Sequence, residues 1–61
     1  MKVGDLVRFH YPETDNEYAI ALVVGTTNHS DVFELLELSG LYKGDYSYAR
    51  ADDWEVISES R

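Results

Sequence analysis

Asp52 and Asp53 stand side by side in "RADDWEV", and a carboxylate pair is the simplest equipment for general acid–base catalysis. A pair placed in a tight turn has a more ordinary use, because Asp oxygens cap backbone N–H groups there, and the turn-like flanks favour capping. His10 and His29 fall on separate segments with no second ligand at a metal spacing, so they read as surface histidines rather than zinc ligands. Glu13, Asp15 and Glu17 alternate in "PETDNE" as calcium ligands do, but without EF-hand spacing or its loop glycine this is an acidic turn. The chain has no Cys, which removes disulfides, thiolate nucleophiles and thiolate zinc sites together. It has no Gly-rich phosphate loop, and no Ser with a His partner that the sequence reveals. "NHS" at 28–30 matches a glycosylation acceptor, which matters only in a secreted eukaryotic chain. The chemistry left is recognition. Tyr42, Tyr46 and Tyr48 lie close together in the chain, and with Glu34 and Glu37 they supply amphipathic rings beside carboxylates, suited to a protein partner. No catalytic, cofactor or metal residues are expected.

The elements that must position these residues are short. In "KVGDLVRFHY", Val3, then Val7, Phe9 and Tyr11 recur at period two, the pattern of a half-buried strand, with Gly4-Asp5 as a tight bend near its start. Pro12 opens the clearest loop. "YAIALVVG" places Tyr18, Ile20, Leu22 and Val24 on one face and Ala19, Ala21 and Val23 on the other, as a central strand would. "DVFELLELSG" reads two ways. As a helix it has Asp31 to cap, Glu34 three residues on and Gly40 to stop it; as a strand it sets Phe33 and Leu35 against Leu36 and Leu38. "YSYAR" alternates as a strand, and "ADDWEVIS" reads as one tight turn, capped by Asp52 or Asp53, followed by a last strand. Five short strands at this spacing point to a small barrel, since closure removes exposed edges.

Size and charge narrow the possibilities. Sixty-one residues make one domain with a thin core, hiding only ~60% of the surface its unfolded chain exposes. The longest apolar run, "YAIALVVG", falls far short of the ~20 residues a membrane helix needs, and the N-terminus does not read as a secretory signal. A cytoplasmic, membrane-free protein is the expectation. The formal net charge is −7, and no Lys or Arg occurs between Phe9 and Tyr42, where Glu13, Asp15, Glu17, Asp31, Glu34 and Glu37 all fall. That distribution repels phosphate backbones and disfavours nucleic acid. It serves solubility, and it also offers a surface to a basic partner.

The succession "VGDLVRF", "IALVVG", "FELLEL" and "RADDWEVIS" resembles the small SH3-like barrels, including the KOW and Tudor-like branches. It looks most like the short SH3-like proteins of tailed bacteriophages, in which a "GDLV" opening and an acidic close bracket the barrel. The resemblance covers residues 3 to 57, and it is specific for fold rather than function. It implies an all-β fold: a five-stranded SH3-like barrel over residues 1–58, a single 3₁₀ turn at "ADDW" before the last strand, and a frayed tail over 59–61. It turns "VFELLEL" towards strand and makes Val3, Val7, Leu22, Leu35, Val56 and Ile57 core. The chain departs from the pattern at Ala21, where a Gly is usual, at Glu37, where an aromatic often stands, and at Trp54, where an aliphatic is commoner. The Glu37 departure argues against a ligand groove. The chain also lacks the "ALYDY" run and paired tryptophans of proline-peptide readers.

The reading that follows is a non-enzymatic, phage-type protein-binding module that acts on a host protein of basic character through Tyr42, Tyr46, Tyr48, Glu34 and Glu37. The alternative is a small virion or assembly component that self-associates into a homo-oligomer. A nucleic-acid-binding module stands third, because Lys2, Arg8, Lys43, Arg50 and Arg61 would have to converge on one patch.

Overall fold

The computed structural model describes residues 1–10, 18–40 and 42–59. The elements run β1 (Leu6–His10), β2 (Tyr18–Thr26), β3 (Val32–Glu37), β4 (Tyr46–Arg50), a 3₁₀ turn (Ala51–Asp53) and β5 (Glu55–Ser58). The fold is all-β, and "VFELLE" is a strand. A helix of that length is marginal on propensity alone, whereas as a strand it pairs with β2 on one side and β4 on the other. Tyr11, the "PETDNE" loop with Glu13, Asp15 and Glu17, and residues 60–61 lie outside the described residues, and the acidic-turn and frayed-end readings lie there with them.

The strands form one antiparallel sheet in the order β4-β3-β2-β1-β5. The pairings give β4 and β5 the same sense, and strands of the same sense normally need a crossover of a dozen residues or more. Here Arg50 and Glu55 are joined through a single 3₁₀ turn and Trp54. In a flat five-stranded sheet the outer strands would stand roughly 19 Å apart, beyond the ~17 Å that so short a link spans fully extended. The sheet must therefore curl until β5 carries on from β4. Two bulges supply the bend: one in β2 between Val23 and Gly25, the other where β5 meets β1 at Leu6 and Val7. The strand order nonetheless ends at β4 and β5, which form no ladder with each other.

The concave face holds the core. Val7, Ala21, Val23 and Leu35 are fully enclosed, and Met1, Phe33, Ala49, Trp54 and Val56 pack around them. Three expected core positions are corrected. Val3 is 50% exposed in the N-terminal turn, and Ile57 is 43% exposed where β5 is bulged. Leu22 is half-buried on the convex face, while Ala21 and Val23 point inward. The inside of a tight curl has less room than the outside, so β2 turns its small side chains in and its large ones out. The capping role expected of Asp52 or Asp53 is also corrected. The turn starts from Arg50 with no side-chain cap; the Ala51 N–H donates to the Asp31 carbonyl instead, at 2.8 Å.

The first residues are part of the structure. The Asp5 N–H donates to the Lys2 carbonyl at 3.0 Å, with Gly4 at φ 97°, which is a turn that needs positive φ at its third residue. The Gly4 N–H donates to the Val23 carbonyl and the Val23 N–H to the Asp5 carbonyl, tying the turn to β2.

Candidate functional site

The register splits the five expected site residues between the two faces. On β3, side chains alternate, so Phe33, Leu35 and Glu37 point to the concave side and Glu34 and Leu36 to the convex side. Glu34 stands opposite Tyr48 and Leu36 opposite Tyr46, which places both tyrosines on the outside, 70% and 66% exposed. Glu37 stands opposite Ala21, itself opposite Val7, so this carboxylate belongs to a core row. Tyr42 reaches the Glu37 side from the β3–β4 turn. Tyr46, Tyr48 and Glu34 thus form one group, and Glu37 and Tyr42 another.

The outer group extends across the sheet. Leu6, Leu22, Leu36 and Tyr46 are successive cross-strand partners on β1, β2, β3 and β4. Ile20 stands beside this row on β2, opposite Arg8, whose guanidinium meets the Glu55 carboxylate at 2.7 Å. An antiparallel sheet that faces water on one side is ordinarily polar there; this one carries a leucine row. At one end, Glu34 and Tyr48 join Thr26, Thr27, Asn28, His29 and Val32 around a wide, open depression of about 500 Å³. The Thr27 hydroxyl organises that end, shared between the carbonyls of Val32 (2.9 Å) and His29 (3.1 Å) while accepting the His29 N–H. These groups bond within the turn, and nothing in them is aimed at a ligand.

The inner group is different. Phe9, Ala19, Glu37, Tyr42 and Trp54 line an apolar pocket of about 200 Å³. The Phe9 and Trp54 rings lie 5.5 Å apart with their planes tilted by 42°. Opposite Phe9 on β2 the pocket has only Ala19, whose small side chain leaves the space open. Glu37 is 5% exposed, and its Oε2 is buried with no hydrogen-bond partner among the described residues. The backbone around it is well bonded: the Glu37 N–H donates to the Asp45 carbonyl at 2.9 Å, and the Gly44 N–H to the Glu37 carbonyl at 2.8 Å. The Asp45 N–H closes the turn on the Tyr42 carbonyl, with Gly44 at φ 89° as the residue that permits it. That turn sets Tyr42 at the pocket mouth, 59% exposed. Glu37, which stands where an aromatic often does, thus lines a pocket on this side of the sheet.

Burial pushes the Glu37 carboxyl above its ordinary value of 4.5, and the neighbouring Asp45 charge pushes it the same way. A carboxyl whose folded value is raised favours the protonated fold. Its stabilising contribution is full below about 4.5 and is lost as pH rises through the raised folded value. Glu37→Gln removes that loss. Melting temperatures of the two proteins should coincide near pH 4 and separate towards pH 7, with the Gln variant the more stable. Parallel curves would contradict this.

No protein-family model matches the chain, and neither a curated protein nor a solved structure does. Among the described residues, no three His, Asp or Glu side chains are grouped to hold a metal ion, and no helix is long and apolar enough to cross a membrane. The signal missed in the sequence was parity: Glu37 is two residues beyond Leu35, so it shares the core face of the strand.

Proposed function

We propose that this chain is a non-enzymatic protein-binding module, an SH3-like barrel of the tailed-phage type, which docks its convex face on a basic host protein in the cytoplasm. The observation that carries the reading is the row Leu6–Leu22–Leu36–Tyr46, its leucines half-buried and its edge formed by the exposed rings of Tyr46 and Tyr48 beside Glu34. Exposed tyrosines beside an apolar row suit an interface, whose centre is apolar and enriched in aromatic side chains. Charge selects the partner's character: at −7 the chain repels a second copy of itself and attracts a cationic surface. Nucleic acid fits poorly, since Lys2, Arg8 and Arg50 each meet a carboxylate, those of Asp5, Glu55 and Asp31.

Selection of a displayed random-peptide library on the immobilised protein tests the reading. The winners should carry Lys or Arg around an apolar anchor. The double variant Tyr46→Thr/Tyr48→Thr, which keeps β-compatible residues, should bind them about tenfold or more weakly. Neutral or acidic winners, or equal binding by the double variant, overturn it. A concentration-dependent dimer in sedimentation would replace the basic partner with a second copy.

A further inference from the structure

The pocket on the concave side carries an inference independent of the convex face. We propose that Phe9, Ala19, Glu37, Tyr42 and Trp54 form a receptor for one basic side chain, a lysine or arginine of a polypeptide, with its charge against the Glu37 carboxylate and its alkyl stem among the rings. Three observations converge on this. First, size: at about 200 Å³ the pocket is below the ~300–1,000 Å³ of small-molecule sites, so it suits a single side chain rather than a metabolite. Second, the lining: Phe9, Trp54 and Tyr42 offer aromatic surface, whose negative faces attract cations within ~6 Å. Third, the orphan: Glu37 Oε2 is buried without a partner among the described residues. A buried carboxylate oxygen left unmatched costs free energy, and a cation placed beside it supplies both the missing hydrogen bond and the missing charge.

The surroundings point the same way. Asp45 adds negative potential at Glu37. Among the described residues no Lys or Arg side chain forms an ion pair with Glu37; the pairs present join Lys2 to Asp5, Arg8 to Glu55 and Arg50 to Asp31. A neutral apolar side chain would fill the space but leave Oε2 unmatched, and an anion would be repelled. Tyr42 at the mouth is positioned to close over an entering stem, held by a turn that Gly44 makes possible.

Trp54 is the chain's single tryptophan and lines the pocket, so its fluorescence reports occupancy directly. The probes are N-acetyl-lysine amide and N-acetyl-arginine amide, with N-acetyl-norleucine amide and N-acetyl-citrulline amide as uncharged counterparts. At least one cationic probe should give a saturable change that its uncharged counterpart does not. Glu37→Gln, which is expected to fold, should weaken that binding by about tenfold or more. Tyr42→Ala, an exposed position, should weaken it severalfold. Equal responses to charged and uncharged probes, or unchanged affinity in Glu37→Gln, would overturn the proposal, as would no response to either cationic probe.

Discussion

Leu35→Ala is expected to leave much of the protein unfolded at 25 °C. Leu35 is the largest fully enclosed apolar side chain, on a strand paired on both sides and cross-strand neighbour to Val23 and Ser47. Truncating such a leucine costs about 2–5 kcal/mol, the lost transfer energy plus the void left behind. A core this small rarely supplies more than about 3–5 kcal/mol in all, and the chain has no disulfide to add to it. The comparison decides the outcome: the deletion is as large as the reserve. Circular dichroism during urea titration should show the variant with little or no folded baseline, while Leu35→Met, of similar volume, keeps a shifted but cooperative transition. A Leu35→Ala protein melting within a few degrees of the parent would mean that the core lies elsewhere.

The second large effect is expected at Asp5, the most deeply buried charged residue described, at 1% exposure. Its Oδ2 accepts the Lys2 backbone N–H at 2.9 Å, and its Oδ1 lies 3.5 Å from the Lys2 ammonium. That ammonium is largely in water, so the ion pair contributes little; the bond to the backbone matters, because it holds the turn whose N–H and C=O groups pair with Val23. Asp5→Ala takes the acceptor away and leaves a gap at the edge of the core, a cost of about 2–3 kcal/mol. Asp5→Asn retains an acceptor and should lose less than half as much. Urea midpoints of the two variants separate the hydrogen bond from the charge. Equal losses in both would make charge the dominant contribution.

The strands were legible because most of their apolar residues alternate. "YSYAR" and the part of "KVGDLVRFHY" around Val7 and Phe9 need only period two, and the structure places β1 and β4 there. "VFELLEL" was ambiguous because both of its faces are apolar, and the choice came from pairing with β2 and β4, which no local pattern contains. Inward and outward were harder than strand and loop. Leu22 is larger and more apolar than Ala21, so hydrophobicity alone assigns it to the core; only the curl of the sheet, with its shortage of interior volume, reverses that order. The same holds for the candidate site. Tyr42, Tyr46 and Tyr48 are close in sequence, but the Gly44 turn sets Tyr42 on the concave side while the alternation of β4 keeps Tyr46 and Tyr48 together on the convex one. Phe9, Ala19 and Trp54 carry no local signal of a site, because the pocket draws on β1, β2 and the link from β4 to β5 together, a convergence that lives in the topology.

Because β5 pairs with β1, with Ser58 as the register partner of Leu6, the start of β1 and the end of β5 lie one strand spacing apart, roughly 5 Å. A unit that enters and leaves through neighbouring points can be spliced into a surface loop of a larger protein without prising that loop open, or recut by joining its ends with a few residues and breaking the chain elsewhere. Both operations leave the ladders that join β1 to β4 untouched, so this arrangement makes the domain a portable unit.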